Sequence, residues 1–170
     1  MKYDLVMKCL KFSISKDETR LHLNGVYYNS KDLEAVSTDG YILTASKILY
    51  KPEFKDLIVD FNNMTTIDRE YLKYQAVIPK KFNTEFEIYI PKDAVIKGKN
   101  QRDYHAYITK EAELIISRET PKEFLVKLNT HFLKPLQGYK LKVGINGELN
   151  PIKFELIEDD SYYIVMPMKA

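Results

Sequence analysis

The 170-residue sequence predicts an α+β fold, with antiparallel sheets and two short helices. Three observations carry this reading. Apolar residues recur at helical spacing only over residues 2–14 and after Asn129, while most other apolar runs are short or alternate with period two. Turn residues punctuate those runs every few positions. Thirteen Tyr and eight Phe, with no Trp, lean the chain toward strands and binding surface.

In chain order, Leu5, Val6, Cys9, Leu10 and Ile14 form the apolar face of a first helix, with Lys2, Lys8 and Lys11 largely on the other side. Strands follow over 21–28, 33–37 and 41–48, with turns at 29–32 and at Asp39-Gly40, a pair that supplies the positive φ of a tight hairpin. The centre predicts strands at 57–61, 75–78 and 86–90, the last two stopped by Pro79 and Pro91, and one or two helical turns within 92–99. A hairpin over 104–109 and 113–117 turns at Lys110-Glu111. Residues 124–128 form a strand, and Asn129 or Thr130 caps a second helix that Pro135 keeps short. Three final strands, 139–145, 152–157 and 162–166, are separated by Asn146-Gly147 and by Glu158 to Ser161. A helix plus three-strand meander thus stands at each end of the chain.

The length suits one compact unit over 1–170, with sub-lobes 1–79 and 80–170 and a boundary in the stretch 73–84. A net charge of +2 does not by itself mark a nucleic-acid binder, so any DNA contact requires lysines sorted onto one surface, or DNA held by geometry. Cys9 is the only cysteine, which excludes an internal disulfide and argues against a cysteine zinc site. The opening residues lack the apolar core of a signal peptide and no run reaches a membrane span, so the expected location is cytoplasmic, with no membrane partner.

Searching for chemistry yields little. His22, His105 and His131 are scattered outside any ligand spacing, and Glu158, Asp159 and Asp160 read as a solvated turn. Asp17-Glu18 reads as a helix-exit loop, and Cys9 as a packed small hydrophobe. No nucleophile elbow, phosphate-binding loop or dinucleotide fingerprint occurs. The expectation is a protein without catalysis, cofactor or metal.

Three separated blocks point further. Arg20-Leu21-His22-Leu23-Asn24-Gly25 leads to Ala35-Val36-Ser37-Thr38-Asp39-Gly40; Tyr71-Leu72-Lys73-Tyr74-Gln75-Ala76-Val77-Ile78-Pro79 follows; and Tyr162-Tyr163-Ile164-Val165-Met166-Pro167-Met168-Lys169 stands near the end. In this order they resemble segments of the bacterial DNA polymerase III beta subunit, the sliding clamp, with looser likeness over the last hundred residues. The resemblance implies a DNA-clamp-type fold and a replication processivity factor that tethers polymerase and other clamp-motif proteins to double-stranded DNA. It also implies a hydrophobic peptide-binding pocket built from Leu23, Thr38, Gly40, Tyr41 and Leu43, from Leu72, Ala76 and Val77, and from Ile164, Val165, Met166, Pro167 and Met168, with Lys169 at the rim. Flexible methionines suit such a pocket, although Met166-Pro167-Met168 closing a core is the plainer alternative.

If the chain forms a ring of copies, a homo-oligomer, then Lys2, Lys8, Lys11 and Lys134 are the candidates to face phosphates without regard to sequence; solubilising surface lysines are the other reading. Two departures stand out: Tyr41-Ile42 replaces the family's His-Arg, and Leu72 replaces a proline. A different class of function also fits, a clamp-derived interaction module that binds replication-machinery peptides without encircling DNA.

Overall fold

The computed structural model describes residues 2–95 and 101–169. The chain divides into two units: Met1–Val77 with Leu156–Tyr163, and Ile78–Glu155 with Ile164–Ala170. In the first unit the opening helix, α1 (Lys2–Phe12), buries Leu5, Val6, Cys9 and Leu10, the face that helical spacing predicts. Strands β1 (Val26–Asn29), β2 (Glu34–Thr38), β3 (Ile42–Ser46), β4 (Ile58–Asp60) and β5 (Thr65–Ile67) form antiparallel pairs in the order β5-β4-β1-β2-β3. The register pairs Tyr27 with Val36, Asn29 with Glu34, and Thr38 with Leu43.

Period-two alternation then gives this sheet two distinct sides. Ser37 donates to the Leu10 carbonyl at 2.6 Å, and the Ser13 and Thr44 hydroxyls meet at 2.8 Å, so Ala35, Ser37 and Thr44 face α1. Ser46 and Ser161 continue that side with a hydroxyl contact at 2.7 Å. Tyr27, Asn29, Glu34, Val36, Thr38 and Leu43 point the other way. The hydroxyl groups of Ser13, Ser37, Thr38, Thr44, Ser46 and Ser161 are all buried and paired, as burial of a polar group demands.

The second unit holds β6 (Thr84–Tyr89), β7 (His105–Ile108), β8 (Leu114–Ser117), β9 (Val126–Leu128) and β10 (Lys140–Ile145). Strands β11 (Ile152–Ile157) and β12 (Ser161–Val165) are each divided between the units. Here β6, β10 and β11 pair antiparallel, and β8-β7-β9 make a separate sheet. The α+β class with antiparallel sheets stands.

Four local expectations are corrected or limited. Residues 21–23 form a 3₁₀ turn ahead of β1, not the start of a strand: Leu23 is fully buried, its N–H donates to the Arg20 carbonyl at 3.0 Å, and Asn24 N–H to Leu21 at 3.1 Å. Residues 74–77 are likewise a 3₁₀ turn and not a strand, because Tyr74 turns inward to a buried polar cluster. The second helix, Thr130–Leu136, is 3₁₀ throughout, with Asn129 accepting from His131 N–H at 2.9 Å as its cap and Pro135 inside it. The 92–99 helical turns show only a tight turn closed by Ala94 N–H on Pro91; the rest lies outside the described residues.

Candidate functional site

Of the sequence-named residues of the first unit, Thr38 and Leu43 lie on the sheet side opposite α1, and contacts of Tyr71 with Tyr27 and of Tyr74 with Glu34 bring the Leu72–Val77 segment to that side. Thr38 and Leu43 are buried, so they shape this side from beneath, and Leu23 is fully buried in the 3₁₀ turn ahead of β1. Thr38 Oγ1 donates to the Ile42 carbonyl at 2.6 Å and accepts from Gly40 N–H at 3.1 Å, while Asp39 Oδ1 accepts from the N–H groups of Tyr41 and Ile42. Gly40 has φ +98°, which a side chain disfavours, and a Cβ there would lie 2.9 Å from the Arg20 guanidinium. Arg20 also donates to the Asp39 carbonyl at 3.3 Å, so a cation backs this turn although Tyr41-Ile42 carries none. Tyr41 projects outward, 62% exposed.

The segment after β5 supplies the rest. Tyr71 stacks on Tyr27 with ring centroids 4.6 Å apart and meets Tyr74 edge-on at 6.3 Å. That arrangement leaves Leu72 half-buried and Ala76 and Val77 exposed. Beside Leu72 lies a surface pocket of about 350 Å³ lined by His22, Arg69, Glu70, Tyr71, Leu72 and Lys73. Of these only Leu72 was expected in a binding site; the His22 reading as a strand residue hid it. No local motif marks the others, whose meeting depends on the Tyr71–Tyr27 stack. The Tyr71 hydroxyl is buried with no hydrogen-bond partner among the described residues, and loss of water pushes its pKa well above the usual tyrosine value.

In the second unit, Ile164 and Val165 finish β12 as buried residues, whereas Met166, Pro167 and Met168 leave the strand half-buried and Lys169 is exposed. Met168 N–H donates to the Lys127 carbonyl at 2.7 Å and bridges that strand, which holds the methionine segment against β9. A second pocket, about 440 Å³, is lined by Lys110, Lys122, Glu123, Phe124, Leu125 and Glu148, and contains none of the expected site residues.

Lys2, Lys8 and Lys11 are exposed on α1, and Lys134 is exposed on the Thr130–Leu136 turn. Lys8 and Lys11, three residues apart, share one face of the helix. Burial raises the Cys9 thiol far above its ordinary value, with Lys8 acting slightly against it, so the thiol stays protonated. Among the described residues no group of three or more His, Cys, Asp or Glu is placed to hold a metal, and no helix is long and apolar enough to cross a membrane.

No family model matches the chain. The beta sliding clamp of Rickettsia felis is 38% identical over 87 residues, 50% of this chain and 22% of that protein. That of Rickettsia bellii is 43% identical over 53 residues, 30% of this chain and 14% of that protein. The crystal structure of a sliding clamp, DNA polymerase III subunit beta, from Bartonella birtlesii bound to griselimycin matches 99% of this chain and 64% of its own, with a TM-score of 0.72 at 15% identity. The chain therefore spans less than two thirds of each of these three proteins. Sequence likeness thus covers half of the chain and fold likeness nearly all of it, and in both the chain is similar to the bacterial beta sliding clamps, the DNA polymerase III beta subunit.

Proposed function

We propose that the chain acts as a sliding-clamp-like processivity factor in DNA replication, tethering polymerase or other clamp-motif proteins to double-stranded DNA without catalysis, cofactor or metal. The observation that supports it most is the two-sided sheet of the first unit. Lysine-bearing α1 covers one side, and the other side carries Leu43, Thr38 and the Leu72–Val77 segment. A tether needs that separation, a cationic side for phosphates and an apolar side for a partner. Lys2, Lys8, Lys11 and Lys134 make the phosphate contacts. The docking set is Leu23, Thr38, Gly40, Tyr41, Leu43, Leu72, Ala76 and Val77, with Ile164 through Lys169. In this reading 1–170 works as one clamp-type unit, with sub-lobes 1–79 and 80–170, in the cytoplasm.

The half-exposed methionines supply the direct test. Met166→Ala with Met168→Ala removes two flexible thioethers from the docking set and is expected to abolish binding of a fluorescein-labelled extended peptide with leucine and phenylalanine anchors, read by fluorescence polarization. Griselimycin, the ligand of the Bartonella structure, serves as a second probe. Wild-type affinity in the double variant would remove these residues from the pocket.

A second reading is an interaction module that binds replication peptides without encircling DNA; the exposed Ala76 and Val77 and the half-buried Met166 and Met168 serve it as well as they serve a clamp. A ring of single-domain chains takes about six copies, and of one-and-a-half-domain chains about four, through head-to-tail contacts that must close. Light scattering over a concentration series separates the readings. A defined tetramer or hexamer retained on circular but not linear DNA supports the clamp; a monomer that binds peptide supports the module.

A further inference from the structure

The segment that carries Leu72, Ala76 and Val77 is pinned to the β1–β2 hairpin by a polar cluster. Tyr74, 1% exposed, donates its hydroxyl to Glu34 Oε1 at 2.6 Å and accepts from Asn29 Nδ2 at 2.8 Å. Asn29 Nδ2 also donates to Asp32 Oδ2 at 2.9 Å, and Gln75 Nε2 reaches the same oxygen at 3.1 Å. Glu34, the first residue of β2, is itself only 5% exposed. Tyr162 lies against it too: burial first, then the Glu34 and Asp32 charges and a hydrogen bond to Glu34, hold its hydroxyl above the ordinary tyrosine range.

A carboxylate at this position is costly where an aliphatic side chain would bury freely, and hydroxyl donors offset the cost only at a fixed geometry. The neighbouring Tyr71–Tyr27 stack is broad and tolerates sliding; hydrogen bonds to a buried carboxylate do not. The stack therefore attaches the segment, and the Glu34–Tyr74 bond sets where it stops.

We propose that Glu34 and Tyr74 are positioning residues for peptide docking, their hydrogen bond fixing the placement of Leu72, Ala76 and Val77 that a bound peptide meets. This rests on the docking reading above. Neither residue belongs to the docking set.

The test pairs affinity for the labelled peptide with amide hydrogen exchange in the unliganded protein. Tyr74→Phe is expected to weaken binding about tenfold, the loss of one hydrogen bond to a charged group. It should also speed exchange at Gln75, Ala76 and Val77 while Val36 and Leu43 stay protected. Glu34→Gln keeps an acceptor for Tyr74 and should hold affinity within about twofold, whereas Glu34→Ala should lose it as Tyr74→Phe does. Unchanged affinity in Tyr74→Phe overturns the proposal. So does a protection loss spread evenly over β1 to β3, which marks a core residue alone. Should Tyr74→Phe fail to fold, equal affinities of Glu34→Gln and Glu34→Ala overturn it instead. A wild type that binds no peptide removes the docking reading, and the positioning role with it; a wild type that binds beside an indifferent Tyr74 variant removes the positioning role only.

Discussion

Cys9 and Tyr71 show how single buried groups fix what this protein can do. Cys9 is fully enclosed and its thiol is held protonated by lack of water, so iodoacetamide should leave it untouched in the native protein and label it in urea. Labelling at the rate of a free thiol without denaturant would show α1 undocked. Tyr71→Phe removes a buried hydroxyl that has no partner among the described residues and is expected to leave stability unchanged or raise it by up to about 1 kcal/mol, checked by urea unfolding.

Charge behaves in the opposite sense at the surface. Hydrogen bonds from Ser30 to Asp56, and from Asn63 to Asp60, hold both carboxyls below the ordinary 3.8. A depressed folded value means the unfolded chain takes up protons first. Their contribution is therefore present above 3.8 and fades as pH falls through the folded values, so the thermal midpoint should drop on acidification through that window. Cys9 was legible from helical spacing alone. Glu34 was not: its partners Tyr74 and Tyr162 lie far along the chain, and nothing local distinguishes a carboxylate that will be enclosed from one that will meet water.

Elements with a strong period were readable, and those set by tertiary contact were not. α1, β2, β3 and the closing strands follow their apolar patterns. The 21–28 run alternates like a strand, yet its first half coils because Leu23 must go inward and Gly25 must pass close to the β4 backbone. A Cβ on Gly25 would sit 2.5 Å from the Val59 carbonyl oxygen, a backbone atom that has little room to retreat. Gly25→Ala should accordingly cost about 1–3 kcal/mol in urea unfolding. Gly147→Ala, whose Cβ would meet only the Asn150 side chain at 3.2 Å, should stay within about 0.5 kcal/mol. Strand β5, three residues of Thr65–Ile67, carries too little apolar pattern to see in advance and exists because β4 offers it an edge. Of the candidate pocket, the sequence blocks could not separate Leu23 and Leu43, which are buried, from Tyr41 and Val77, which are exposed.

For the whole molecule, the likeness to sliding clamps was readable from block order rather than from any one residue; the break between units after Val77 falls within the stretch 73–84, whereas the breaks inside β11 and β12 have no linker to mark them. That division has a consequence for how the protein is made. The first unit needs Leu156–Tyr163, which bring Ser161 to Ser46 along the open edge of β3. A ribosome moving at roughly 5–20 residues per second reaches residue 163 some 4–17 s after residue 77. Through that interval β3 has emerged with its outer edge uncovered, the kind of surface that recruits stray strands. For several seconds of every synthesis the nascent chain is therefore expected to be more open to stray strand pairing than the finished protein.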